Sequence, residues 1–259
     1  MDTLKIIKIG GNIIDNEDAL DSFLTKFSML EGPKILVHGG GKLASKLSVQ
    51  MGVEVQMVEG RRITDLSTLE IITMVYAGQI NKTIVAKLQA NECNVVGFSG
   101  ADGNTIVAEK RPVKKIDYGY VGDVKKVDIQ VPELLLESGI IPVFCAISHD
   151  QKGQLLNTNA DTIASELAIA FSKKYKTALY YCFEKKGVLK NVEDENSVIE
   201  KITPSQFKEL IDAGIIMEGM IPKIENCFYA LENGVEKIGI GLPSMIFEPN
   251  SLHTILKNS

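Results

Sequence analysis

The sequence predicts an α/β fold, a mostly parallel sheet covered by helices on both faces. Two observations carry this. Strand-like apolar runs recur along the 259 residues with helical periodicities between them. The run at 140–147, IIPVFCAI, is apolar throughout, as expected of a central strand buried on both faces.

In order along the chain, Leu4–Ile9 reads as the first strand. Asp15 or Asn16 can cap the next helix, whose Leu20, Phe23, Leu24 and Phe27 fall at i, i+3, i+4 and i+7 and form a buried stripe. Residues 35–37 are a second strand, entering Gly39-Gly40-Gly41 and a helix from Lys42. A long helix over about 65–88 is opened by Thr64 or by the capping box Ser67-Thr68-Leu69-Glu70 and closed near Asn91; its length suits a helix that also serves a partner subunit. Val95–Phe98 is the next strand, and Gly100, Gly103, Gly119 and Gly122 mark a turn-rich stretch of β-hairpins. Residues 161–171 are helical and 177–183 form a strand. Thr203-Pro204-Ser205-Gln206 combines an N-cap, Pro at the first helical position and Gln at the third, so a helix starts there. Residues 224–231 are helix, 237–240 strand, and Thr254–Leu256 a short last strand. The polar interruption Ser172-Lys173-Lys174-Tyr175-Lys176 sets a lobe boundary, with segments 1–172 and 173–259.

The chain is 45% hydrophobic and 24% charged, enough for one large domain or two lobes sharing a core without covalent staples. Cys93, Cys145, Cys182 and Cys227 lie far apart in apolar surroundings and read as buried free thiols rather than metal ligands or disulfides. Net charge is −5 and the lysines are scattered among acids, so no basic stripe exists to track a nucleic-acid backbone. The first dozen residues hold a strand and a glycine turn, with no basic leader and no apolar run of membrane-spanning length; a cytoplasmic protein with no membrane partner is the expectation.

The turns Gly10-Gly11 and His38-Gly39-Gly40-Gly41 sit at the carboxyl ends of strands, where α/β sheets bind ligands. Backbone N–H groups there can approach anionic oxygens, and the helix N-terminus after Gly41 favours negative charge. Taken singly, either cluster is also explained by a tight turn with close helix packing. Gly41-Lys42 is not a P-loop, because Leu36 and Leu43 stand where a glycine and a Ser/Thr are needed. Gly39-x-Gly41-x-x-Ala44 fits a dinucleotide fingerprint with Glu59 placed for a ribose. A nicotinamide dehydrogenase is therefore a competitor, though it leaves Lys8, Lys223 and the Asn-rich turn without a role.

Lys8, in an apolar strand, and Lys223, at a helix start, can contact the oxygens of a transferring group, with Asp161 of Asn157-Thr158-Asn159-Ala160-Asp161 between them. Transferring a phosphoryl group to a carboxylate brings two anions together, so the site must supply positive charge and alignment, and the acceptor needs no general base. Each lysine has the plain alternative of a solvated cation, and Asp161 that of a helix N-cap. Arg62, ahead of the long helix, can grip a carboxylate through two parallel hydrogen bonds, and Asn157 adds a donor to the same group. His149 and His253 lack ligand-spaced companions and read as surface residues, and His38 as a buttress of the glycine turn. No protein-only metal site is assigned.

Eight segments in order resemble the amino acid kinase family, and its acylglutamate branch in particular, over essentially the whole chain. They are Lys8-Ile9-Gly10-Gly11, His38-Gly39-Gly40-Gly41, Gly60-Arg61-Arg62-Ile63-Thr64, Asn81-Lys82-Thr83, Gly100-Ala101-Asp102-Gly103, Gly122-Asp123-Val124, the stretch from Gly153 to Asp161, and Gly219-Met220-Ile221-Pro222-Lys223. The resemblance implies a three-layer αβα sandwich around an open, mainly parallel sheet of about eight strands. It implies ATP-dependent phosphorylation of the γ-carboxylate of N-acetyl-L-glutamate, or alternatively N-succinyl-L-glutamate, with acceptor and dimer interface in 1–172 and ATP in 173–259. By similarity Lys8 and Lys223 stabilise the transferring group, Asp161 organises them, and Gly11 and Gly40 donate backbone N–H groups. Gly40, Gly41, Arg62 and Asn157 hold the acceptor, with Asn159 alongside. ATP, with Mg2+ on its phosphates, lies along Glu184, Lys185, Lys186, Gly187, Val188, Leu189, Ile215, Ile216 and Met217. Arginine-inhibited members carry an additional N-terminal helix, whereas three residues precede the first strand here, so a homodimer without arginine inhibition is expected.

One stretch departs from the family. Where it usually has Leu-Ser/Thr-Asp-Val-x-Gly beside the nucleotide, this chain has Cys182-Phe183-Glu184-Lys185-Lys186-Gly187, with Glu184 as the substitute acid. Carbamate, aspartate, glutamate and uridylate kinases fit less well, because Arg62-Ile63-Thr64 and Gln154-Leu155-Leu156-Asn157 match the acylglutamate branch. A catalytically silent sensor of the same fold is opposed by the intact Lys8, Asp161 and Lys223.

Overall fold

The structure is a computed structural model that describes residues 3–58, 61–216, 220–248 and 250–258. Glu59, Gly60, Met217 and Gly219, named above, lie outside the described residues. The elements begin β1 (Leu4–Ile9), α1 (Gly11–Ile14), α2 (Glu17–Ser28), β2 (Lys34–His38), α3 (Gly41–Gln50), β3 (Met57–Val58) and β4 (Arg61–Arg62). There follow α4 (Leu66–Thr73), a π-helical segment Met74–Ile80, α5 (Asn81–Ala90), β5 (Val95–Phe98), β6 (Ile106–Lys110), β7 (Gly122–Val127), α6 (Gln130–Glu137), β8 (Ile141–Phe144), β9 (Ile147–His149) and β10 (Leu155–Asn157). The remainder is α7 (Ala160–Ser172), β11 (Thr177–Cys182), β12 (Lys201–Ile202), α8 (Pro204–Asp212), α9 (Ile221–Glu232), β13 (Lys237–Gly241), α10 (Ser244–Phe247) and β14 (Thr254–Leu256).

Eight strands form one open sheet in the order β12-β14-β13-β11-β1-β2-β8-β5. Six run parallel; β14 pairs antiparallel with β13 and parallel with β12, so this edge runs against the rest. A four-stranded sheet, β10-β9-β6-β7, and the hairpin β3-β4 sit apart from it. The two-residue alternation of β1 divides the core: Leu4 and Ile6 face α7, α8 and α9, and Ile7 and Ile9 face α2 and the long helix. Lys8 therefore shares the face of Leu4 and Ile6. The three-layer sandwich follows from this division, one core on each side of the sheet.

Several local expectations hold for the reasons given. Leu20, Phe23, Leu24 and Phe27 are the buried stripe of α2, and Asn16 caps it by accepting from Ala19 N–H at 3.0 Å. Thr203 and Gln206 form the reciprocal capping box of α8. All four cysteines are buried free thiols, and burial pushes those of Cys145 and Cys182 up to about 12.

Other expectations are corrected. The long helix is capped by Asp65, which accepts from Thr68 N–H at 2.7 Å, and not by Thr64 or a Ser67 box; Thr64 instead spends its backbone on Tyr118 and Tyr120. Its middle widens into π geometry, which propensity does not signal. The run 140–147 is two strands, because Cys145 and Ala146 turn the chain out of the large sheet into the small one, and β8 lies one strand from the edge rather than at the centre. Between Gly100 and Gly122 a single hairpin, β6-β7, forms, and Asp102–Asn104 is a 3-10 turn. Strand β12 is too short to show in the sequence pattern. His149 and His253 are half-buried, not surface residues.

Candidate active site

The carboxyl ends of β1, β2 and β11 and the N-termini of α7 and α9 meet over one face of the sheet. Lys8 leaves β1 on that face, and Lys223 lies in the first turn of α9. Asp161 lies in the first turn of α7 and receives both. Lys8 Nζ is 2.8 Å from Asp161 Oδ1, and Lys223 Nζ donates to Oδ2 at 2.5 Å. The three side chains are 15%, 16% and 21% exposed for Lys8, Asp161 and Lys223, shielded yet open to a ligand. Burial opposes the charged carboxylate, but the two ammonium groups outweigh it and hold Asp161 well below the usual carboxylate range. With two cations and one anion, the cluster keeps a surplus positive charge.

Asp161 is not the helix cap. Asn159 caps α7 by accepting from the N–H groups of Asp161 and Thr162 at 2.7 and 3.3 Å, so the predicted acceptor residue Asn159 is committed to the helix end. Tyr181 is a support the sequence reading missed. It pairs with Lys8 in register, donates its hydroxyl to Asp161 O at 3.1 Å, and places its ring centroid 5.4 Å from Lys223 Nζ. Its only sequence signal is its phase: Leu179 and Tyr181 alternate onto the Lys8 face of β11.

Gly11 and Gly41 open helices, so their N–H groups lack intrahelical acceptors. Gly40 has φ +154, and a Cβ there would lie 2.1 Å from Ile80 Cδ1. Glycine is thus required twice over, for conformation and for close approach of the long helix. His38 ties the same turn down, contacting Gly39 O through Nδ1 at 2.9 Å and Asn81 Nδ2 through Nε2 at 3.0 Å. Burial lowers its pKa to about 4, so it is neutral at physiological pH and serves as a strut.

Arg62 is 8% exposed and reaches into the second glycine turn, donating from Nη2 to Gly41 O at 2.9 Å and Ser45 Oγ at 2.7 Å. Its Nη1 is buried without a protein partner among the described residues. One arm of the expected fork is therefore structural and the other is unpaired among the described residues. Asn157 donates to Thr64 Oγ1 at 3.0 Å, and Thr64 donates to Arg62 O at 3.2 Å, so Arg62 and Asn157 do come together, through Thr64. Ser45, one turn after Gly41, was not anticipated.

The predicted nucleotide stretch divides. Glu184 is exposed and accepts from Asn12 Nδ2, whose Oδ1 accepts from Lys42, a bridge across the strand ends of β1, β2 and β11. Lys185 and Lys186 turn to Glu195 and Asn196. Gly187 is packed so closely that a Cβ would lie 2.6 Å from Thr254 Oγ1. Val188, Leu189 and Ile216 are buried and Ile215 half-buried, and Val188 and Ile216 pack into the core on the Lys8 face of the sheet.

The model of the amino acid kinase family matches residues 3–241. Acetylglutamate kinase of Cytophaga hutchinsonii is 56% identical over 239 residues, covering 92% of this chain and 90% of that protein. Acetylglutamate kinase of Phocaeicola vulgatus is 52% identical over 254 residues, covering 98% of each. The solved structure of smu.665 from Streptococcus mutans UA159 matches with a TM-score of 0.78 at 29% identity over 99% of both chains. This chain belongs to the amino acid kinase family.

Proposed function

We propose that this chain phosphorylates the γ-carboxylate of N-acetyl-L-glutamate with ATP, giving N-acetylglutamyl 5-phosphate in arginine biosynthesis. The observation that carries it is the convergence of Lys8 and Lys223 on Asp161. Relatives about half identical over nearly the whole chain bear the matching name.

An acceptor carboxylate oxygen attacks the γ-phosphorus in line; that O–P bond forms as the bond to the β–γ bridging oxygen breaks, and ADP leaves with the electron pair. No proton moves. Lys8 and Lys223 offset the charge on the transferring and leaving oxygens, and Asp161 holds the ammonium groups against their mutual repulsion. Gly11 and Gly40 add backbone donors. Arg62 Nη1, Asn157 and Gly41 hold the acceptor, with Asn159 fixing the α7 end beside it. The acceptor lies in the 1–172 segment and ATP in 173–259, along Glu184 to Leu189 and Ile215 to Met217.

Mg2+ would be held by the nucleotide phosphates rather than by a protein cage. Both Asp161 oxygens already face ammonium groups, and among the described residues no group of three or more His, Cys, Asp or Glu could hold a metal. Bound there, the ion offsets phosphate charge. Homodimerisation through the long helix is supported by Leu66 and Met74, both about half exposed on it; sedimentation reads the mass directly. Among the described residues no helix is long and apolar enough to cross a membrane.

The deciding assay couples ADP release or hydroxamate formation to N-acetylglutamate, N-succinylglutamate and free glutamate in parallel. Turnover with N-acetylglutamate is expected; none with it, and turnover with another acceptor, would move the activity elsewhere in the family.

A further inference from the structure

Successive strand side chains point to opposite faces, so the β4 residue next to Arg62 is sent away from the glycine turn. Arg61 there lines a cavity of about 630 Å³ together with Arg111, Lys114, Lys115, Tyr118 and Asp123. Among the described residues four cations and one carboxylate line it, in a chain whose net charge is −5. That carboxylate is already engaged: Arg111 grips Asp123 through Nε at 3.0 Å and Nη2 at 2.6 Å. The remaining guanidinium nitrogen, Nη1, is buried and has no partner among the described residues. The guanidinium carbon lies 5.4 Å from the Tyr118 ring centroid, so the group is held by a carboxylate and a ring while, among the described residues, Nη1 is left for a further acceptor.

The wall of this cavity is continuous with the acceptor-facing residues. Thr64 N–H donates to Tyr118 O at 3.0 Å, Tyr120 N–H to Thr64 O at 2.7 Å, and Asn157 N–H to Tyr120 O at 2.9 Å.

We infer that the cavity is an anion subsite adjoining the acceptor site, taking a carboxylate or phosphate of a small multivalent anion. The anion has two sources. It is either a separate small molecule or a carboxylate at the end of the acceptor's own acyl chain, and only the second source rests on the function proposed above.

The Lys114→Ala/Lys115→Ala double variant removes two of the cations and leaves Lys8, Arg62, Asn157, Asp161 and Lys223 in place. In one arm, citrate is titrated into both proteins and thermal unfolding is followed; a separate anion raises the wild-type Tm with concentration, and the double variant loses the rise. In the other arm, initial rates are compared for N-acetylglutamate and N-succinylglutamate. An acceptor-borne carboxylate makes the double variant's KM for the succinylated acceptor about tenfold higher while that for the acetylated one stays within about twofold. Matching behaviour of the two proteins in both arms overturns the subsite. Arg61→Gln, read in the same arms, decides the question if the double variant fails to fold. If wild type phosphorylates neither acceptor, the proposed function fails, and the citrate arm still decides whether an anion binds.

Discussion

The Asn159 side chain accepts the backbone N–H of Asp161 at 2.7 Å. Because the residue two positions earlier does the capping, the Asp161 carboxylate is spared the helix end and is shared between Lys8 and Lys223. Had Asp161 capped α7 itself, the two ammonium groups would have no common anchor.

Lys8→Ala lowers kcat by about 10²–10³-fold, since removing a cation aimed at transition-state charge costs roughly 3–4 kcal/mol. Lys8→Arg does not restore it, because a planar fork cannot replace a point charge so close to the Gly10 wall, where a Cβ would sit 3.7 Å from Nζ. Steady-state rates at saturating substrates test this, and an unchanged kcat in Lys8→Ala takes the residue out of the mechanism.

Arg62→Ala raises the acceptor KM by about 10- to 100-fold, the loss expected for one charge-assisted hydrogen bond, and leaves the ATP KM near wild type. Arg62→Lys recovers little, because one nitrogen cannot serve Gly41 O, Ser45 Oγ and a ligand together. An equal rise in both KM values would place Arg62 outside acceptor binding.

Gly40→Ala destabilises the fold by about 2 kcal/mol or more, through overlap with Ile80 and a left-handed φ that alanine resists. Adding Ile80→Ala relieves the overlap but not the dihedral, so the double variant is less destabilised than two independent losses would sum to. Urea denaturation of the three variants separates these contributions.

Stability has a pH dependence set by His38. Its folded pKa, about 4, lies below the ordinary 6.5, so the folded state binds fewer protons, and the stabilisation it contributes is whole above pH 6.5 and is lost as pH falls toward 4. The loss over that window is about 3 kcal/mol. His38→Gln should flatten the wild-type slope between pH 6.5 and 4 in denaturation series; parallel slopes would refute the assignment. Asp161, depressed in the folded state, adds a further loss only as pH falls below about 4.

Much of the fold is legible in the sequence because local chemistry agrees with the tertiary outcome. The period of α2, the Thr203–Gln206 box and the apolar run of β1 each state their own element. The run 140–147 misled, because apolarity marks burial and not direction: Cys145 and Ala146 are as buried as the strands they separate. The long-helix cap misled for a similar reason, since Thr64 and Ser67 satisfy the motif while Asp65 has the better geometry. The π segment, Ser45 beneath Arg62 and Tyr181 beside Asp161 carry no motif.

The sequence alone determined that this chain would build an α/β sheet, and it singled out Lys8, Asp161 and Lys223, because periodicity and charge placement are properties of neighbouring residues. Only the tertiary structure decided that Arg62 commits one arm to the protein and leaves the other unpaired among the described residues, that Val188 and Ile216 are spent on the core, and that Arg61 lines a cationic cavity. Those outcomes depend on which distant elements pack against each side chain, a relation that sequence spacing does not encode.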